Sequence, residues 1–506
     1  VRAAGHQERL DDPPASQSEV AKNQPAIEPV VVEHNGFVSV QVNTGPGGVN
    51  IAGDAANEPS IAVDPTAPLR LAVGWRQFDS TSSNFREAGV GSSVDGGRTW
   101  SPMRTLDDGV FRSDPVLMSD RHGRFYYYSL ISTPDIFCSM FISEDAGASW
   151  SDPFDAFGGD KAWVAVDTTA GDGSDNVYVG WALASNQYGL RTFIRSYDGG
   201  LSYTEPLWTP PTPTWGTVTV ASDGVLYMAG NAEYSRDDFV VHRSYDVSDP
   251  GIEPPGFDVV SIDLGGAQRV GGEFDFSPNP AGLIGQVWID SDHSNGPNRG
   301  NLYIVASVDP EGSDPMDVHF VRSEDGGSSW SEPVRIHDDD RDAWQWFGTM
   351  SVSPDGRIDV VWVESVSSLD ANLGALLYTS SRDGGFTWSE PVAVSPRFDS
   401  WLGWPQQDKM GDYFHMVSDR VGAHLIYAAT FNGEQDVFYL RIGDTDCNSN
   451  GVGDLRDLDA GMSDCNANGL LDSCEIDAAT AVDDDGDGII DECRLPPRRP
   501  TSRFAP

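Results

Sequence analysis

The sequence predicts an all-β propeller, seven-bladed on the favoured count, followed by a small loop-rich tail. An eight-residue turn signature recurs five times, seven two-strand units follow one another between residues 59 and 430, and four of the five cysteines crowd into the last 60 residues. A chain of 506 residues exceeds one ordinary core, and repetition is what allows such a length to fold as one body.

The turn signature is Ser-x-Asp-x-Gly, then Ser or Thr two residues later, then an aromatic. It stands at Ser93 to Trp100, Ser143 to Trp150, Ser196 to Tyr203, Ser323 to Trp330 and Ser381 to Trp388, and a sixth copy at Ser244-Tyr245-Asp246 has lost its glycine and aromatic. Its chemistry is that of a tight turn: the Asp accepts backbone amides, the Gly supplies a positive φ and the aromatic plugs the apolar layer between sheets.

Ahead of each signature runs a pair of apolar strands with turn residues between them, as in Thr349 to Val352, Ser353-Pro-Asp-Gly356, Ile358 to Trp362. Equivalent units are residues 59–75, 114–130, 161–181, 216–229, 286–306 and 412–430, which makes seven. Six blades is the alternative, with the irregular stretch from Pro250 to Gly300 as the point where the count turns. The last unit has a third strand at Val437 to Ile442 and no fourth. Phe37 to Asn43 alternates correctly and is expected to close the ring from the other terminus. Boundaries follow: a disordered leader over 1–35, the propeller over 36–443, the tail over 444–493 and a disordered end over 494–506.

The tail repeats one pattern three times. Asp446, Asn448, Asn450 and Asp454 recur as Asp464, Asn466, Asn468 and Asp472, and again as Asp483, Asp485, Asp487 and Asp491, each with Gly at the sixth position. Oxygen donors at positions 1, 3, 5 and 9 around a sharp turn suit Ca²⁺, with Asp457 and Glu475 at the twelfth position of the first two loops and Arg494 in the third. Fifteen acidic residues against one Arg between Asp444 and Cys493 need such a counter-charge. The clustered cysteines point to disulfides and a secreted or cell-surface location, with pairing left open. The chain opens at Val1 without a basic-then-apolar leader, as expected once an export signal has been removed.

A net charge of -46 excludes a nucleic-acid backbone as partner, and no apolar run is long enough for membrane insertion. Inner strands of a propeller begin at one face and converge on a central depression. Glu58, Arg112, Asp114, Asp160, Lys161, Trp215, Trp344, Trp346, Lys409, Asp412 and Tyr413 fall at those strand starts. Only three lysines occur, and two of them follow an aspartate at equivalent starts, Asp160-Lys161 and Asp408-Lys409. Such placement marks either a ligand site or ion pairs fastening adjacent blades. Carboxylates, cations and aromatic rings in one concave site suit a glycan or polysaccharide.

Over residues 37 to 442 the recurring signature resembles the Asp box of the sialidase superfamily, and the tail resembles thrombospondin type 3 or dockerin calcium repeats. The first resemblance implies boxes between the third and fourth strands of each blade, away from the site. It also implies an exo-glycosidase whose Tyr nucleophile works beside a carboxylate. Tyr413, Glu58 and Asp114 are then the catalytic candidates, with Arg112, Asp160, Lys161, Trp344, Lys409 and Asp412 binding substrate. The family's aromatic-Arg-Ile-Pro motif is absent. Asn57 to Asp64 stands in its place, and no motif assigns Arg76, Arg112 and Arg341, the arginines that could still converge, to the carboxylate-binding triad. The alternative function is a non-catalytic propeller that binds a polysaccharide or a protein, with the calcium tail as spacer or attachment to a cell-surface partner.

Overall fold

Strands such as Leu71–Phe78, Ile358–Ser365 and Gly422–Ala429 are buried along their whole length, so each sheet must be covered on both faces. The computed structural model, which describes residues 30–132, 136–337, 342–466, 468–486 and 488–493, solves this by radial repetition. Seven antiparallel sheets are arranged around one axis. Their inner strands are Ala55–Val63, Arg112–Ser119, Trp163–Val166, Val218–Val220, Trp288–Ser291, Gln345–Val352 and His415–Ser418. Successive inner strands pack side by side, and the seventh returns to the first. The fold is a seven-bladed propeller, and the stretch from Pro250 to Gly300 carries the outer strand of blade 4, a long connection and the start of blade 5.

The ring closes as the alternation in Phe37 to Asn43 predicts. Phe37–Gln41 pairs antiparallel with Asp436–Gly443, placing Ser39 opposite Leu440. The described chain also extends further than the expected boundary: Val31–His34 forms a fifth strand on this blade through an Asn35-Gly36 turn, with both residues at positive φ (50° and 85°). An Asn-Gly pair is the standard hairpin signal. Residues 1–29 and 494–506, including Arg494, lie outside the described residues, as does Asp487.

The turn signatures lie between the third and fourth strands. In the first, Asp95 Oδ1 accepts the Thr99 amide at 2.9 Å and Oδ2 accepts the Thr99 hydroxyl at 2.6 Å, while Ser93 Oγ accepts the Gly97 amide at 2.9 Å. Gly97 has φ +87° and faces the ring of Tyr439 in the preceding blade, so a side chain there meets both a strained backbone and a neighbour. Two of the terminal aromatics lean on the preceding blade, Trp100 edge-on against Tyr439 at 5.4 Å and Trp388 against Phe320 at 5.1 Å, while Trp150 packs on Tyr127 of its own blade at 5.8 Å and Gly147 of that box faces Ala72 of the preceding one. Each box therefore seals a blade junction.

The tail is held by disulfides Cys447–Cys474 and Cys465–Cys493 and carries two short helices, Asp454–Asp459 and Asp472–Asp477. It rests on the box face of blade 1. Leu69 packs with Leu470, Leu471, Ala478 and the first disulfide, Arg70 donates to the Asp477 carbonyl at 2.6 Å, and Arg98 donates to the Gly469 carbonyl at 2.9 Å.

Candidate functional site

Inner strands of six blades start through a residue in the left-handed region: Glu58, Asp114, Lys161, Trp215 and Phe347 at φ between 48° and 56°, and Gly411 at 97°. Non-glycine residues seldom adopt this conformation, and it persists only where the surroundings enforce it. At Glu58, Asp114 and Phe347 the strand register slips, so each start is a bulge. The left-handed starts of blades 1, 2 and 3 bring charged side chains to the axis.

There they form one network. Lys161 Nζ lies 3.1 Å from Asp114, 2.9 Å from Asp160 and 2.8 Å from Asp412. Lys409 Nζ lies 2.7 Å from Asp412 and 3.2 Å from Glu58, whose other oxygen is 3.2 Å from Arg76 Nε. Asp412 thus bridges both ammonium groups, and its second oxygen accepts the Leu283 amide at 2.8 Å. The network joins blades 7, 1, 2 and 3, across the point where the ring closes. Every member is buried.

Burial in a low-dielectric interior disfavours charge, and close opposite charges restore it. Burial pushes Glu58 up to about 8 despite Arg76 and Lys409, and pushes Asp160 up to about 6 despite Lys161. Asp114 stays well below the usual carboxylate range because, against its burial, Lys161 and Arg76 hold it ionised. Lys161 is raised, since Asp114, Asp160 and Asp412 outweigh its desolvation, whereas burial leaves Lys409 lowered. Arg86, buried beside the network, is lowered to about 10 by burial.

Tyr413 sits against this network, with its hydroxyl donating to the Pro115 carbonyl at 2.7 Å and its ring edge-on to Trp163 at 5.5 Å. Burial, and then Glu58 and Asp114, raise the phenol well above its ordinary value. Six of the residues singled out from sequence therefore come together with Tyr413: Glu58, Asp114, Asp160, Lys161, Lys409 and Asp412. Two do not. Arg112 turns to Asp107 at 2.7 Å and lies over the Phe141 ring. Trp344 is buried edge-on to Phe274 at 4.8 Å, with Nε1 donating to the Ser368 carbonyl. Of the three arginines considered for a triad, Arg76 joins the network, Arg112 does not, and Arg341 lies outside the described residues.

The segment leading into blade 7 closes over the centre. Gln406 donates to the carbonyls of Ser82 and Ser83, Ala281 donates to the Asp408 carbonyl at 3.0 Å, and Met410 donates to Asn279 Oδ1 at 2.8 Å. The same segment carries Trp401 and Trp404, 6.4 Å apart. Trp401 Nε1 donates to the Ser277 carbonyl at 3.0 Å and Trp404 Nε1 to the Ser400 carbonyl at 2.7 Å. Trp401 is 37% exposed and Phe276, next to its anchor, 61%. Sequence reasoning missed this aromatic group because connections lack periodicity; the tryptophans themselves were its only signal.

In the tail, Asp446 accepts the amides of Asn450 and Gly451, and the side-chain amides of Asn448 and Asn450 both reach Asp457 Oδ2, at 2.9 and 2.7 Å. The second loop repeats this with Asp464, Asn466, Asn468 and Glu475. Positions 1, 3, 5 and 12 thus converge, and rotation of the amides presents their oxygens instead. These donors fit a hard cation. The ninth-position carboxylates turn elsewhere: Asp454 accepts the Cys447 amide and Asp472 the Cys465 amide, both at 2.9 Å. In the third loop Asp483 accepts the Gly486 and Gly488 amides, and Asp491 accepts the Asp484 amide.

No protein-family model and no curated protein matches this sequence. Among solved structures, the chain is similar to a protein of unknown function from Dyadobacter fermentans, at 14% identity and TM-score 0.42, covering 83% of this chain and 98% of that one. It is similar to the GH93 α-L-arabinofuranosidase of Fusarium graminearum, at 12% identity and TM-score 0.41, covering 80% and 97%. A Hadza microbial sialidase aligns at 13% identity and TM-score 0.40, covering 77% and 66%.

Proposed function

We propose that this protein is a secreted or cell-surface glycan-binding propeller that holds its ligand without hydrolysing it, with a tail folded around Ca²⁺. The observation that carries this reading is the pairing of the candidate catalytic groups with one another. A hydrolase needs one carboxyl and one nucleophile free to meet a sugar. Here Glu58, Asp114 and Asp412 are held by Lys161, Lys409 and Arg76, and the Tyr413 hydroxyl is bound to a carbonyl. The ion-pair alternative read from the two Asp-Lys steps is therefore preferred: the network fastens the ring.

Glycan recognition is assigned to the aromatic group above it. Trp401, Trp404 and Phe276 offer apolar ring surface suited to the CH face of a sugar, and both indole N–H groups are tied to backbone carbonyls, so the rings are held in place before ligand arrives. Asp399, whose Oδ1 accepts the Trp401 amide at 3.0 Å, is the carboxylate beside these rings and is assigned to sugar hydroxyl groups. The two disulfides suit an oxidising compartment, and no helix among the described residues is long and apolar enough to cross a membrane.

Calcium is assigned to the first two loops, through Asp446, Asn448, Asn450 and Asp457, and through Asp464, Asn466, Asn468 and Glu475. Bound there, it supplies the counter-charge that the acidic tail lacks. A glycan array probed with wild-type protein and with Trp401→Ala tests the central assignment. Wild type is expected to retain a restricted set of glycans and the variant to lose them at unchanged melting temperature. Equal retention by both would overturn the platform.

A further inference from the structure

On the opposite side of Trp163 from the ion network, the propeller axis holds a second space. It is a cavity of about 250 Å³ lined by the inner strands of all seven blades. A single water needs about 10–15 Å³ on this measure, so the space suits a molecule rather than one water. The first residues of three inner strands make its deep end: Trp163, Trp288 and His415. The Trp163 ring stands edge-on to Trp288 at 4.9 Å and to His415 at 5.3 Å, and Trp288 stacks with His415 at 5.7 Å. Met118, Met350 and Met416 line the sides.

This end carries no positive charge. The Ile61 amide donates to His415 Nδ1 at 3.3 Å, which requires a lone pair on that nitrogen, and burial pushes the imidazole down to about 3. Neutral rings and polarisable sulfurs are left facing the cavity.

Nearer the end of its strand, Asp290 supplies the one ionisable carboxyl that lines the space. Its orientation is fixed from three blades. Oδ1 accepts the Ser291 amide at 2.8 Å and the Thr219 hydroxyl at 3.4 Å, and Oδ2 accepts the Val352 amide at 2.8 Å. Among the described residues no lysine or arginine is paired with Asp290; burial raises its carboxyl, and His293 is the cationic group that acts against that rise. That sets it apart from the axial carboxylates of the other face, each of which meets an ammonium or guanidinium within 3.2 Å.

We propose that this cavity is a binding site for a small organic cation of the quaternary ammonium class, its methyl groups against Trp163, Trp288 and the methionine sulfurs and its charge balanced by Asp290. Ring faces attract a cation through their quadrupole, most strongly where water is excluded. Hydrated metal ions would find too few oxygens here, and an anion would meet a carboxylate without a donor cation. A net charge of -46 concentrates cations around the molecule and favours their entry. The site is independent of the glycan platform, which lies at the other end of the axis.

Choline and its neutral isostere 3,3-dimethylbutan-1-ol separate charge recognition from simple cavity filling, because they match in shape. Titration of the full-length protein with each, followed by calorimetry and tryptophan fluorescence, is expected to give saturable choline binding at one site, roughly tenfold or more tighter than the isostere. Asp290→Asn should weaken choline by a similar factor and leave the isostere unchanged. Because this variant disturbs three hydrogen bonds, the wild-type comparison stands as a second test that needs no substitution. Equal affinity for cation and isostere, or no saturation by choline while the protein remains folded, would overturn the proposal. Glycan-array binding unaffected by saturating choline would confirm that the two sites are separate, and failure of one leaves the other standing.

Discussion

Glu58→Gln isolates the buried network through its most displaced member. Glu58 is fully buried, 3.2 Å from Lys409 and 3.2 Å from Arg76, and burial lifts its carboxyl from 4.5 to about 8. A carboxyl whose pKa is higher in the folded state binds its proton more tightly there. Its contribution is complete below about pH 4.5 and is lost as pH rises to about 8. At about 1.4 kcal/mol per unit, a rise of this size amounts to a few kcal/mol, on the order of 5. For a propeller of this length that is roughly 5 °C in melting temperature. The amide cannot titrate, so the variant should lose this slope. Asp160, lifted to about 6, adds a smaller loss of the same sign between its ordinary 3.8 and 6. Asp114, held low by Lys161, works in the opposite direction at acid pH. Melting both proteins between pH 5 and 9 at fixed Ca²⁺ measures the difference. Wild type is expected to lose stability relative to Glu58→Gln as pH rises across that window. Parallel curves would refute the claim that Glu58 is desolvated within a sealed network.

Two further outcomes follow from the fold and the tail. Deleting residues 1–44 removes the partner of Asp436–Gly443 and exposes a long apolar edge, so that truncation should aggregate while deletion of 1–30 stays soluble; size-exclusion chromatography compares them. Chelating Ca²⁺ should release the tail from Arg70 and Arg98, making residues beyond 444 protease-sensitive while the propeller resists; equal protection with and without chelator would mean that the disulfides alone order it.

The blade count and the closing strand were legible because both rest on local rules: alternation, turn residues and an unpaired last strand. The hairpin at Asn35-Gly36 was not read, and Val31–His34 fell inside the expected leader; this short strand on an outer edge alternates only exposed and half-buried positions and offers no buried face to betray it. At the axis the sequence reading brought the right residues together through the two Asp-Lys steps. It erred at Arg112 and Trp344 because a bulge at each strand start shifts side-chain parity by one, so alternation cannot tell which neighbour points inward. The ninth-position aspartates were read as ligands from spacing alone. In the fold they start short helices and turn to backbone amides, a choice set by chain direction that spacing does not reveal. Asp290 escaped notice because its meaning depends on Trp163 and His415, which are more than a hundred residues away in the chain.

Binding without hydrolysis is directly measurable. The most direct measurement incubates the strongest array ligand with stoichiometric protein and follows both partners by NMR. The account predicts saturation transfer to the sugar in wild type and in Lys409→Met, its loss in Trp401→Ala, and no new anomeric signal over the full incubation. Appearance of a released sugar, abolished by Tyr413→Phe or Asp114→Asn in folded protein, would contradict it and restore the axial residues as a catalytic centre.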